Sequence, residues 1–225
     1  MKIIYPWKAG QLDAPKSVKT EIIQELNARY PGVLGSKIPD DTVQHALKSV
    51  CSTLIELEKS HSVPWVVVTT QHLSLVHTLA RMIPVTMALT RHWRPLNITT
   101  DVLVDTFRQP APFDDFSPDP AGELLHSVKN RGILVWENFS ELKLGGYKYA
   151  SQFMEVLGHR MDKRKMTVFL CPLPRGMSPT ELTALLDRVE KSIGANAPNI
   201  LREAATWKHF KTASNTQFNV KTEEV

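Results

Sequence analysis

The chain has 225 residues, a formal net charge of +4 and a pI near 9.0, a length that suits one domain with an appendage or two small ones. Apolar residues make up 42% and charged residues 22%, the balance of a globular core rather than of a disordered or fibrous chain, and the modest positive charge is compatible with nucleic acid without requiring it. Cys51 and Cys171 are the only cysteines and give neither a disulfide framework nor a metal-ligand spacing. No apolar run of membrane-spanning length and no secretory leader pattern is visible, so we expect a cytoplasmic protein with no membrane partner.

Residues 1–15 read as an arm: Lys2-Ile-Ile-Tyr5, then a stretch punctuated by Pro and Gly. Gly10-Gln-Leu-Asp-Ala-Pro15-Lys16-Ser17 imitates the phosphate-cradling pattern, but Pro15 replaces its second Gly and has no N–H to offer a phosphate. The same proline suits the start of a helix over 17–29, with Ile22, Ile23 and Leu26 on one face. After a Gly/Pro loop, Asp40 or Asp41 caps a helix to about residue 60, where Val43, Ala46, Leu47, Val50, Leu54 and Leu57 recur at helical spacing. The β-branched run at 63–70, centred on Trp65-Val-Val-Val68, predicts a buried strand.

A long helix over 71–92 follows, with Pro84 as its kink, then a short strand at 96–98 and a short helix at 101–108. Residues 109–120, rich in Pro and Asp, read as an exposed loop, and 121–130 as helix. In Arg131-Gly-Ile-Leu-Val-Trp-Glu-Asn-Phe-Ser140 an unbroken apolar run enters an acid and an amide, Glu137 and Asn138. Such a run predicts a buried parallel strand, and an acid at its carboxyl end sits where open α/β sheets bind ligands. Further expected elements are a loop at 140–146, a helix at 147–163, a strand at 166–171, a loop at 172–179, helices at 180–193 and 198–210, and a frayed polar tail from 212.

Strands alternating with helices predict an α/β fold, a parallel sheet flanked by helices on both faces, with a small helical N-terminal extension. The expected division is an arm and helix at 1–39, an α/β domain at 40–211 and a flexible tail at 212–225. His72 and His77 lie five positions apart, not at the spacing of a metal-binding helix face, and neither a metal nor a cofactor is expected. Arg160, Lys163, Arg164 and Lys165 form a dense basic cluster, either a surface for an anionic partner or a solvated helix end placed against the macrodipole. Trp207, His209 and Phe210 interleave with Lys208 and Lys211, either as the docking face of a C-terminal helix or as a stacking platform for single-stranded bases. No Ser-His-Asp or Cys-His arrangement is readable.

The order of these segments resembles that of the DnaC/IstB-type helicase loaders and transposition ATPases of the AAA+ class, over roughly residues 40–190. In that family an apolar strand precedes Gly-x-x-x-x-Gly-Lys-Thr-His-Leu-Ala. Here Trp65–Val68 precedes Thr70-Gln-His-Leu-Ser-Leu75-Val76-His77-Thr78-Leu79-Ala80, and the closing Leu-Ala is retained. Leu96-Asn-Ile-Thr-Thr-Asp-Val-Leu103, the Glu137 strand, the helix and strand that follow it, and Ala184-Leu-Leu-Asp187-Arg188 are similar to the family's later elements.

The resemblance implies a P-loop fold, and it also implies what is missing. Thr70 and Leu75 stand where the loop glycines belong, Val76 replaces the phosphate lysine, and His77 replaces the metal-binding hydroxyl. Glu137 takes the place of the strand's Asp, Asn138 that of the water-activating acid, and Pro172 that of a phosphate-sensing Asn. The implied role is a non-hydrolysing interaction protein in DNA replication or transposition that recruits, loads or antagonises a helicase or recombinase. Its implied partners are such a protein or a related AAA+ subunit, DNA, and copies of itself, with Arg188 the arginine offered to a neighbour's nucleotide. Two alternatives stay open: an active ATP-dependent loader with a divergent loop, and a nucleic-acid-binding module of similar architecture.

Overall fold

A computed structural model describes residues 3–12, 14–109, 119–139, 150–173, 201, 204–210 and 218–220. The apolar runs form the four strands expected of them: β1 (Trp65–Thr70), β2 (Pro95–Thr99), β3 (Ile133–Glu137) and β4 (Met166–Pro172). All four lie parallel in one sheet of order β2-β3-β4-β1-β5-β6. Every residue of β1 and of β4 is buried, which is why these segments read as continuous apolar runs rather than as alternating ones.

The helices follow from periodicity and caps. They are α1 (Lys16–Arg29), α2 (Asp41–Lys59), α3 (Leu73–Arg91), α4 (Thr100–Arg108), α5 (Pro120–Asn130) and α6 (Ala150–Asp162). Asp40, Thr99 and Asp119 each accept a backbone N–H at the start of α2, α4 and α5, from Val43, Val102 and Gly122 at 2.9, 3.3 and 2.9 Å. α3 runs through Pro84 as one helix. By length and composition alone α3 could cross a membrane, but 72% of its apolar window is buried, and it packs on α2 and the sheet as the core helix.

The two faces of the sheet are separately covered. Val66, Val68, Ile133, Val135, Val168 and Leu170 point towards α1, α2, α3 and the N-terminal arm. Trp65, Val67, Leu134, Trp136, Phe169 and Trp207 point towards α4, α5 and α6. Trp136 is the centre of this second layer, stacked on Phe153 at 5.4 Å and edge-on to Phe139 at 5.0 Å.

Two expectations at the C-terminal end are corrected. Residues 205–210 are not helix but strand β5 (Ala205–Phe210), parallel to β1 with Trp65 opposite Ala205 and Thr70 opposite Phe210. The polar tail supplies β6 (Phe218–Val220), antiparallel to β5. Trp207, Lys208, His209 and Phe210 are all buried, so they offer no platform for bases. Lys208 donates to Ser49 Oγ at 3.0 Å, and Thr69 Oγ1 lies 3.0 Å from His209 Nδ1. The expected helix at 180–193 with Asp187 and Arg188, the loops at 110–118, 140–149 and 174–179, and Lys211 lie outside the described residues.

Candidate functional site

The carboxyl ends of β1 and β3, with β4 between them, bring the predicted residues together. Thr70 ends β1, and only Gln71 and His72 separate it from α3. The Thr70 hydroxyl accepts the His72 N–H at 3.2 Å, and the His72 carbonyl accepts the Val76 N–H at 3.1 Å. The Thr70 carbonyl is taken by the Leu173 N–H at 2.8 Å. Thr70, Leu75 and Val76 are buried, the latter two in the apolar layer beneath α3, while His77 is exposed on the first turns of that helix. α3 has no side-chain N-cap, and its amino end, the positive end of its dipole, follows directly from the carboxyl end of β1.

Glu137 ends β3 with its side chain only 12% exposed. Oε1 accepts from Asn97 Nδ2 at 2.7 Å, a diagonal contact across the β2–β3 pair, and Oε2 lies 3.5 Å from His77 Nδ1. The imidazole is 63% exposed, so the pair contributes little to stability. Asn138 has a φ of 54°, a left-handed conformation that asparagine tolerates better than most residues. Its carbonyl accepts from Thr100 Oγ1 at 3.1 Å, and Thr100 Oγ1 in turn accepts from Trp136 Nε1 at 3.0 Å. Asn97 and Thr100 were not singled out from the sequence; their only signal is polarity at the carboxyl end of a short apolar strand.

His77 and Glu137 thus meet. Among the described residues no group of three or more His, Cys, Asp or Glu side chains could hold a metal. Pro172 lies opposite Thr70 at the end of β4.

The basic cluster lies elsewhere, at the amino end of β4, and one of its members is not on the surface. Arg160 is fully buried. Its Nε donates to Thr167 Oγ1 at 2.9 Å, Nη1 to the carbonyls of Val128 and Arg131 at 2.7 and 3.1 Å, and Nη2 to the Met166 carbonyl. It ties the carboxyl end of α5 to the start of β4. Burial pushes its pKa down to about 9, which still leaves it charged at neutral pH. Lys163 and Arg164 are exposed and Lys165 is half-buried. They form the turn that closes α6: Arg164 adopts φ 47°, and the N–H groups of Arg164 and Lys165 return to the carbonyls of Met161 and Arg160 at 3.0 and 2.9 Å.

No family model matches this chain, and no curated protein matches it in sequence. Solved structures do match. The DnaC helicase loader superposes with a TM-score of 0.55 at 13% identity, over 77% of this chain and 92% of that one. DnaI superposes with a TM-score of 0.55 at 16% identity, over 77% of this chain and 87% of that one. The chain has the fold of the DnaC-type helicase loaders. The shared feature is a parallel sheet with helices on both faces, and in open sheets of this kind ligands bind at the carboxyl ends of the strands, where the β1–α3 turn and the end of β3 lie. At these identities the likeness is one of architecture, and function must be argued from the site itself.

Proposed function

We propose that this DnaC-like domain works in DNA replication or transposition through protein contacts rather than nucleotide hydrolysis, recruiting, loading or antagonising a helicase or recombinase. The observation that carries the reading is the β1–α3 turn. A phosphate loop needs a run of backbone N–H groups free to curl around an anion, with a lysine and a hydroxyl at its end. Gln71 and His72 alone connect strand to helix, and the His72 N–H is already held by Thr70. Val76 is packed in the core, so the phosphates would have no principal cation. His77 is a poor ligand for a hard metal that prefers oxygen. Asn138 is no general base, and Glu137 is engaged by Asn97. The residues present do not fit a triphosphate with Mg²⁺.

Lys163 and Arg164, exposed at the amino edge, are the candidate surface for an acidic protein partner, although without the buried Arg160. Isothermal calorimetry with ATP, with and without Mg²⁺, tests the reading, and no binding is expected at millimolar nucleotide. Micromolar affinity with measurable hydrolysis would replace it with an ATP-dependent loader carrying a divergent loop. An affinity capture from the native host, read by mass spectrometry, tests the partner class: a helicase or recombinase is expected.

A further inference from the structure

A second concave surface lies outside the β1–α3 site, between the N-terminal arm and α2. It encloses about 530 Å³ and is lined by Tyr5, Trp7 and Lys8 from the arm and by Gln44, His45 and Lys48 from α2. That volume lies within the range of small-molecule sites, roughly 300–1,000 Å³. His45 meets Phe210 edge-on with ring centroids 6.4 Å apart, and Phe210 stands opposite Thr70 at the end of β1, so the groove opens beside the carboxyl edge of the sheet.

The arm is held in place. The Ile4 N–H donates to Thr90 Oγ1 at 3.0 Å, the Pro6 carbonyl accepts from the Gly35 N–H at 3.2 Å, and Pro6 is buried. On this fixed arm the Tyr5 and Trp7 rings lie parallel, 3° apart in plane with centroids separated by 4.9 Å, and both are only half-buried. Lys8 and Lys48 are exposed on opposite walls, and neither has an ion-pair partner among the described residues. Gln44 is positioned by the Pro39 carbonyl, which accepts from its Nε2 at 2.9 Å.

We propose that this groove binds single-stranded nucleic acid, one base stacking on the Trp7–Tyr5 pair and the flanking phosphates meeting Lys8 and Lys48. Every base has a π-face, so a preset aromatic stack takes bases without regard to sequence. A lysine ammonium acts on phosphate as a point charge and needs no fixed fork geometry. An acidic peptide would use the lysines but not the parallel ring stack. The site does not depend on whether the β1–α3 turn binds nucleotide.

The test is fluorescence anisotropy of a labelled oligothymidylate of about 12 nucleotides, titrated with the whole chain between roughly 50 and 200 mM salt. Binding that weakens with salt is expected. Trp7→Ala should weaken it about 5- to 100-fold, with Trp7→Phe recovering most of the loss. Lys8→Glu with Lys48→Glu should abolish it or flatten its salt slope by about 1.4, at about 0.7 per phosphate contact. These two residues are exposed, so the double variant keeps the groove testable if Trp7→Ala does not fold. Lys163→Glu with Arg164→Glu should leave affinity unchanged. No binding at low salt, or binding indifferent to the groove variants, overturns the proposal. Equal affinity for thymidine monophosphate would make this a mononucleotide site, and equal competition by polyglutamate an acidic-peptide site; either rejects single-strand recognition.

Discussion

Rebuilding the phosphate loop should unfold the protein before it restores nucleotide binding. The perturbation is the fourfold variant Thr70→Gly, Leu75→Gly, Val76→Lys and His77→Thr. Leu75 and Val76 are 6% and 0% exposed in the apolar layer beneath α3. Truncating a buried leucine costs about 2–5 kcal/mol, and a glycine in the helix about 1 more. Val76→Lys forfeits about 1.5 kcal/mol of apolar burial and places an ammonium against the core, where the penalty is several kcal/mol unless the stem carries the charge to water. Thr70→Gly frees the His72 N–H from its 3.2 Å bond, a loss of about 1 kcal/mol. Neighbouring terms do not add strictly, but about 6–10 kcal/mol stands against a typical domain stability of about 5–15 kcal/mol. Urea unfolding followed by tryptophan fluorescence should show the midpoint collapsing, and calorimetry should show no ATP binding. A variant whose midpoint stays within about 0.5 M of the parent, and which binds ATP at micromolar concentration, would refute the reasoning.

Three further substitutions probe the frame around the site. Arg160→Met leaves the carbonyls of Val128, Arg131 and Met166 without their donor and should cost about 3–5 kcal/mol in urea unfolding; a loss under about 1 kcal/mol would return this residue to the role of a dispensable charge. Arg164→Gly relieves a left-handed residue at the end of α6 and should stabilise by about 0.5–1 kcal/mol, a rise of about 2–3 °C in calorimetric Tm, whereas a fall would show that the arginine side chain holds the turn. Gly132→Ala brings a Cβ within 2.9 Å of Trp93, at the entrance to β3, and should cost about 1–3 kcal/mol in the same melt.

The sheet was readable because its strands are buried on both faces. Trp65-Val-Val-Val68 and Ile133-Leu-Val-Trp136 carry no polar interruption, and the helices between them carry periodic apolar faces, two of them capped by Thr99 and Asp119. β5 was misread for a physical reason. Ala205-Thr-Trp-Lys-His-Phe210 interleaves aromatic residues with a lysine and a histidine, which suggested a helix with one docking face, yet the lysine and the histidine are themselves buried and meet Ser49 and Thr69 from neighbouring elements. Its aromatic and β-branched content was the available strand signal. Arg160 was misread likewise: a basic run shows its charge in the sequence, but not that one member turns inward to meet carbonyls from α5 and β4. The pairing of Glu137 with His77 and Asn97 depends on three separate elements and has no local signature.

The residues of the β1–α3 turn that depart from the loop of the resembled family also build its structure. Leu75, Val76, Leu79, Ala80 and Ile83 are spaced as one buried helix face, and that face begins where a glycine and a lysine would stand in the resembled family. With leucine and valine there, the apolar face runs to the very start of α3, and helix replaces the backbone that would otherwise wrap an anion. At β3 the outcome differs. Glu137 keeps its place at the strand end, but Asn97 takes one carboxylate oxygen and His77 stands beside the other. Both carboxylate oxygens of Glu137 thus face the protein's own side chains. Under the proposed function, a domain built this way would hold its shape without nucleotide and present a fixed surface to a partner.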